Sequence, residues 1–181
     1  MPALGVRLTL RIKVPHLAVR SLFAEATPQD ATLCCKHLEK GFEMADLQAA
    51  AKRVARFREV MAQRGYDAVV LRHNPDLRWL TDAERVFDFE QAHTAFITQD
   101  ELFMHTDSRY YNTFLERLGV DSPWKFDQEV TTPTEWVAAH IAEARARVVA
   151  IEDTVDLAFF DGLEQALRDR SVAALLPRMH G

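Results

Sequence analysis

The stretch Tyr66–Asp82, YDAVVLRHNPDLRWLTD, decides the fold. It contains a four-residue apolar run, Ala68–Leu71, which has two adjacent valines and is too short for a helix. This run predicts a buried central strand. Pro75 follows the strand, fixes its own φ and disfavours helical backbone at Asn74, so we expect the chain to turn there. Because ligands of open α/β sheets bind beyond the carboxyl ends of strands, this turn is the first place to look for a site.

Regular elements are predicted on both sides of this stretch. Upstream, apolar residues at three- and four-residue spacing indicate a helix over 45–64, which Gly65 terminates. Downstream, two strand-like runs, Thr94–Thr98 and Leu102–His105, indicate a hairpin. The later predicted elements are a helix capped by residues 106–108 that runs to Leu118, a helix after Thr132, a strand at Val148–Ile151, a helix at Leu157–Leu167 and a final strand at Val172–Leu176.

The order of these elements predicts the fold class. Strands alternate with helices, which implies an α/β layer architecture with parallel pairing, whereas the hairpin adds antiparallel pairing. We therefore expect a mixed, largely parallel sheet flanked by helices.

Composition narrows the function classes. The 181 residues are 48% hydrophobic and carry a formal net charge of −5, with no basic stripe interleaved with aromatic residues, so we expect no nucleic-acid partner. No apolar run approaches the roughly 18 residues of a membrane span, so we expect no membrane association. The adjacent Cys34 and Cys35 cannot build a disulfide framework, which favours a reducing, cytoplasmic setting.

The first 43 residues differ from the remainder. Basic side chains precede any acidic one, no period persists, and the apolar run Leu8–Val14 is interrupted by charges, unlike a secretory signal. We predict that residues 1–43 are a disordered or misassigned extension, with Met44 as the natural start. Residues 44–181 then form the domain.

Complete catalytic motifs are missing from the sequence. The six glycines form no nucleophile elbow, dinucleotide fingerprint or phosphate loop. Two metal or acid constellations stay open as alternatives. His105 and Asp107, with His93 nearby, could hold a metal, although Asp107 also suits a helix cap. Glu152 and Asp153 form an acidic pair, but adjacent side chains point apart, and Asp153 or Thr154 is expected to cap the following helix.

Several motifs together resemble the N-terminal domain of the creatinase/prolidase family of metallopeptidases, which includes aminopeptidase P. HNPDLRWLTD, residues 73–82, is similar to the family turn N-P-x-N-I-R-Y-L-T-G, and LFMHTDSRYY, residues 102–111, is similar to its strand followed by T-D-G-R-Y. The resemblance covers about residues 47–176. Asp82 and Ser108 stand where the family has glycine, which accommodates positive φ more easily than either residue.

This resemblance implies a creatinase N-terminal-like fold with ribonuclease H-like layers. It further implies a non-catalytic domain that serves subunit association and gates a neighbouring active site, with a homo-oligomer or a catalytic domain as partner. The chemistry would lie in a pita-bread domain that we expect to be absent from this chain. That domain would bind two divalent metals, Mn, Co or Zn, and act on proline-containing peptides.

Four residues are predicted to contact substrate or a partner subunit. His73 and Arg78 belong to the matched turn, and Phe89 and Gln91 to the loop after it. We predict no catalytic residue and no metal ligand in this chain. Two alternatives remain: a free-standing α/β module that binds a protein or ligand without peptidase chemistry, and a self-sufficient metal hydrolase that uses His93, His105 and Asp107.

Overall fold

The computed structural model describes residues 45–83, 86–87, 90–119, 121–127 and 131–179. The predicted extension at residues 1–43 lies outside this part. In the described part, the helices are α1 (Leu47–Arg64), α2 (Asn74–Thr81), α3 (Ser108–Leu118), α4 (Pro133–Ala144) and α5 (Leu157–Asp169). The strands are β1 (Ala68–Leu71), β2 (His93–Thr98), β3 (Leu102–Thr106), β4 (Trp124–Asp127), β5 (Val149–Glu152) and β6 (Arg178–Met179).

The strands form one mixed sheet in the order β4-β3-β2-β1-β5-β6. The β1–β2 and β2–β3 pairs are antiparallel, and the β1–β5, β3–β4 and β5–β6 pairs are parallel. The predicted fold class is confirmed. The carboxyl ends of β1 and β5 lie side by side at one edge of the sheet.

Two hydrophobic clusters lie on opposite faces of this sheet. Val69 and Leu71 of β1 face the cluster formed with α1, α2 and α3. Ala68 and Val70 face the cluster formed with α4 and α5. All four β1 residues are at most 1% exposed, because the strand is covered on both faces. The predicted central strand is therefore confirmed.

Local capping signals predicted several boundaries correctly. Gly65 ends α1 at φ 69°, as predicted, whereas the Asp46 carboxylate, which accepts hydrogen bonds from the first turn of that helix, was not predicted as its cap. Asp107 caps α3, and Thr132 and Glu135 form a reciprocal capping box on α4. The predicted hairpin is confirmed as β2 and β3.

Four points about the elements need correction. The residues after Asn74 form helix α2, because proline is well tolerated in the first helical turn. The predicted strand at Val172–Leu176 is wrong: only Leu175 makes an isolated bridge there, and the last strand is Arg178–Met179. Strand β4 was missed because four residues with a single alternation carry too weak a signal. Finally, Asp156, rather than Asp153 or Thr154, caps α5.

Asp82 holds α2 against the start of α1. Its backbone is left-handed, at φ 57°, which explains why glycine would suit this position. One carboxylate oxygen accepts the Asp46 N–H at 2.8 Å, and the other accepts Arg53 Nη1 at 2.8 Å. The same Arg53 nitrogen donates to the Trp79 carbonyl at 2.7 Å. Hydrogen bonds of the Asp82 side chain thus stabilise a left-handed conformation that glycine would adopt without strain.

We expect Asp82→Ala to lower the free energy of unfolding by about 1–2 kcal/mol, because it removes a partly buried ion pair and an acceptor while the left-handed backbone remains. Asp82→Asn should lose less, since the amide oxygen can still accept and Asn tolerates this conformation. Urea denaturation of the three proteins measures the difference. Equal stability of the alanine variant and the parent would contradict the bracing role.

Candidate functional site

Polar side chains gather where β1 and β5 end side by side. We call Arg72, His73, Asn74 and Glu152 the carboxyl-edge cluster. Arg72, Asn74 and Glu152 are 9%, 9% and 5% exposed, so most of the cluster lies beneath the surface. This is the edge at which the sequence predicted a site.

Arg72 is held by neutral groups. Its Nε donates to the Thr94 hydroxyl and its Nη2 to the Gln91 carbonyl, both at 3.3 Å. The guanidinium lies over the Phe159 ring at 4.3 Å. Burial lowers the pKa of Arg72, against the opposing effect of the nearby Asp156 and Glu152 carboxylates. Arg72 therefore links β1 to β2 and α5.

Two side chains hold the loop between α2 and β2. Asn74 Nδ2 donates to the Glu90 carbonyl at 2.9 Å, and Arg78 Nη2 donates to the Phe87 carbonyl at 2.9 Å. Phe87 is 2% exposed and packs edge-on against His93 and Phe114. Phe87 and Glu90 of this loop are thus held by two side chains of α2.

The predicted contact residues divide into three groups. His73 Nδ1 lies 3.0 Å from an Asp76 carboxylate oxygen, and Arg78 braces the loop, so both have intramolecular partners. Gln91 is exposed, and its backbone carbonyl accepts a hydrogen bond from Arg72 Nη2. Phe89 lies outside the described residues. The structure brings His73 and Gln91 to one edge through Arg72.

The proposed metal constellation does not assemble. His93 Nδ1 lies 2.8 Å from the Thr106 hydroxyl within the aromatic cluster below α3. His105, on the opposite face of the sheet, stacks on Trp136 at 5.2 Å. In the described part of the chain, no group of three or more His, Cys, Asp or Glu side chains could hold a metal ion. His93, His105 and Asp107 therefore do not converge on a common metal centre.

A charged surface adjoins the cluster. Arg109, which is 62% exposed, donates to Glu90 at 2.9 Å and to Asp107 at 3.1 Å. The side-chain hydrogen bond from Arg109 lowers the pKa of Asp107, and the same bond raises the pKa of Arg109. This network fixes an ordered polar surface beside the loop.

Glu152 was named in the sequence analysis only as half of an acidic pair with Asp153, and its contact with Arg72 was not predicted. Its Oε1 accepts the Arg72 backbone N–H at 2.8 Å. Burial raises its pKa to about 7, while the Arg72 N–H and the Thr154 hydroxyl act in the opposite direction. The available signal was its place directly after the buried run Val149–Ile151. A carboxyl that titrates near neutrality can hold or release a proton, so it is the described group best suited to proton exchange.

A groove of about 320 Å³ lies elsewhere, between α4 and the β3–β4 pair. Phe103 and His140 pack edge-on at 4.6 Å, and the Lys125 ammonium lies 5.2 Å from the Phe103 ring centre. The groove is lined by Phe103, Lys125, Phe126, Trp136, Ala139, His140 and Glu143. It is separate from the carboxyl-edge cluster.

The fold and this edge define a mixed-sheet α/β domain whose candidate contact site is the turn after its central strand. The chain belongs to the creatinase/prolidase N-terminal domain family, whose model matches residues 53–179. The resemblance inferred from the motifs is thereby confirmed. No curated protein sequence shows significant similarity to the chain.

Solved structures share the fold. The Xaa-Pro aminopeptidase (aminopeptidase P) from Streptococcus thermophilus superposes with a TM-score of 0.59 at 19% identity, covering 72% of this chain and 91% of that one. The N-terminal domain of a cytoplasmic peptidase from Mycobacterium tuberculosis gives 0.58 at 20% identity, covering 72% and 94%. An Xaa-Pro dipeptidase from Bacillus anthracis gives 0.60 at 17% identity, covering 73% of this chain and 34% of that one. The present chain thus spans about a third of that dipeptidase.

Proposed function

We propose that this chain is the non-catalytic N-terminal domain of an Xaa-Pro aminopeptidase- or prolidase-like metallopeptidase, and that it serves subunit association and gating of a neighbouring active site. The family match over residues 53–179 carries this proposal. It is supported by the common fold of three structures that are Xaa-Pro peptidases or a peptidase domain.

The braced loop supports the gating role. A surface that covers another subunit's active site must keep its shape, because an ordered contact pays less entropy on binding. Asn74 and Arg78 hold the loop from α2, while Glu90 and Gln91 are exposed at its end. The loop therefore offers a fixed polar contact to a partner.

The metal chemistry would be supplied by a separate catalytic domain. In such a domain two divalent metals, Mn, Co or Zn, would activate water for hydrolysis of proline-containing peptides. No helix within the described ranges is long and apolar enough to cross a membrane. We propose a cytoplasmic location for the assembly, which is the location stated for the Mycobacterium tuberculosis peptidase.

Isolation of the native protein from its source cells, with an antibody against this domain, tests the proposal. On a denaturing gel we expect either a band larger than the 20.7 kDa of this chain, because a catalytic domain is attached, or a second band from a tightly bound catalytic partner. The isolated material should hydrolyse an Xaa-Pro peptide with Mn²⁺, whereas the purified 181-residue chain should not. Cleavage by the purified chain alone would refute the non-catalytic assignment.

A variant of the native assembly tests gating. We expect Gln91→Ala to raise KM for an Xaa-Pro peptide severalfold with a smaller change in kcat, because a contact formed in both the ground and transition states is lost. Gln63→Ala, an exposed glutamine on α1, is the matched control and should change neither constant. If both variants behave like the parent, the loop does not contribute to gating.

The alternative is a free-standing module that binds a protein or ligand. The groove between α4 and β3–β4 favours it, since aromatic walls with a few polar groups are typical of ligand pockets. A native band at 20.7 kDa without any bound catalytic partner or peptidase activity would support this alternative over the peptidase proposal.

A further inference from the structure

Glu152 joins two parts of the sheet that are distant in sequence. Its side chain accepts the backbone N–H of Arg72, 80 residues away, at the start of the turn after β1. Its backbone pairs with Met179 of the two-residue strand β6, and the next amide, Asp153 N–H, donates to the Met179 carbonyl at 2.7 Å. One residue thus contacts both the turn and the last strand.

The Glu152 carboxyl is poorly placed to carry a charge. The residue is 5% exposed, and its second oxygen, Oε2, is buried without a hydrogen bond of normal geometry in the described part of the chain. An ionised carboxylate needs several hydrogen bonds or a cationic partner to offset desolvation. Only the Arg72 N–H and the Thr154 hydroxyl favour the charged form through hydrogen bonding, and burial outweighs both.

The surrounding charges do not supply the missing partner. The Glu152 carboxylate attracts the Arg72 guanidinium at a distance, but the hydrogen bonds of that guanidinium go to the Thr94 hydroxyl and the Gln91 carbonyl, and it lies over the Phe159 ring. From the turn, Asp76 opposes ionisation and His73, which is bonded to Asp76, favours it more weakly. Ahead of α5, Asp156 adds a second carboxylate near Arg72. Strand β6 places the uncharged Met179 opposite Glu152.

We infer that Glu152 is a proton-controlled latch: its neutral form holds the turn after β1 and strand β6 against β5, and its ionisation loosens both. The physical cause is desolvation. An ionised Glu152 is more stable when hydrated than when buried. Water can reach it only if the turn after β1 or strand β6, which cover it, moves away. The raised pKa, about 7, is consistent with this geometry and puts the change in the neutral range.

Carbon-13 NMR of the 181-residue chain tests the latch. We expect one glutamate carboxyl to titrate near pH 7 and to be missing from the spectrum of Glu152→Gln. The amides of Arg72 and Asp153 should shift with the same midpoint. Glu164→Gln, an exposed glutamate on α5, is the control and should leave that titration in place. A wild-type titration in which every carboxyl has a midpoint below pH 5.5 would refute the proposal, whether or not the variant folds.

Hydrogen exchange distinguishes a Glu152 ionisation that loosens the turn and strand β6 from one that leaves them in place. Between pH 6 and pH 8, after correction for the intrinsic pH effect, the amides of Arg72 and Asp153 should exchange about tenfold faster, which corresponds to one pKa unit of coupling. The Thr98 amide in the β2–β3 hairpin should not respond. In Glu152→Gln the acceleration should vanish. If it persists in that variant, another group causes it and the latch is wrong.

Discussion

Trp136→Ala is expected to lower the free energy of unfolding by about 3–5 kcal/mol, the range observed for removal of a large buried aromatic side chain. Trp136 is 2% exposed and lies in the cluster beneath α4. Its ring stacks on His105 at 5.2 Å and contacts His140 at 4.2 Å between ring centres. Truncation therefore opens a cavity and removes the support of two histidines at once.

Chemical denaturation monitored by circular dichroism measures this loss. Trp136→Phe should lose clearly less, because the phenyl ring refills most of the space. Trp79→Ala, which truncates a partly buried tryptophan on the other face of the sheet, provides a matched comparison and should also cost less. A Trp136→Ala variant no less stable than Trp79→Ala would show that the α4 face contributes little to stability.

The second large effect is a fall in stability between pH 5 and pH 8. Burial raises the pKa of Glu152 from its ordinary 4.5 to about 7, so in this range the folded protein binds more protons than the unfolded chain. The stabilisation is fully present below pH 4.5 and is lost as pH rises through 7. A shift of this size corresponds to about 3 kcal/mol.

Urea denaturation across this pH range measures the direction of the stability change and shows whether Glu152 causes it. Glu152→Gln keeps an acceptor for the Arg72 N–H but cannot ionise, so its stability should stay nearly constant between pH 5 and pH 8. Asp107 and Glu135, whose pKa values are lowered, act in the acid range below their ordinary values and do not interfere. A parallel fall in the parent and in Glu152→Gln would assign the pH dependence to other groups.

Local sequence signals were enough for most of the scaffold. The run Ala68–Leu71 has no polar interruption, which only a strand covered on both faces tolerates, and its position was predicted to the residue. Caps such as Asp107 and Thr132 act within one helical turn, so their effect can be inferred from neighbouring residues. The prediction of a strand at Val172–Leu176 was wrong because this apolar run packs against the core with a single bridge, at Leu175, and regular pairing begins only at Arg178.

The candidate site was less predictable, because its contacts join residues far apart in sequence. Arg78 was predicted in a turn but lies in α2, and its bond to the Phe87 carbonyl depends on the path of the loop. Glu152 was set aside because Asp153 stands beside it and adjacent side chains diverge. Its importance comes from Arg72, whose N–H meets it only after β1 and β5 pair. No local pattern contains that information.

The edges of the sheet limit how such domains could join. Strand β6 has two residues, and β4 has four, with the charged Lys125 exposed on it and ion-paired to Glu101. A short, charged edge strand offers few unpaired backbone groups with which a strand of a neighbouring molecule could pair. Natural sheets use such edges to avoid uncontrolled strand addition. An oligomer of these domains would therefore be held by side-chain surfaces rather than by a sheet running through several subunits, and its geometry could be altered by single surface substitutions without disturbing the fold.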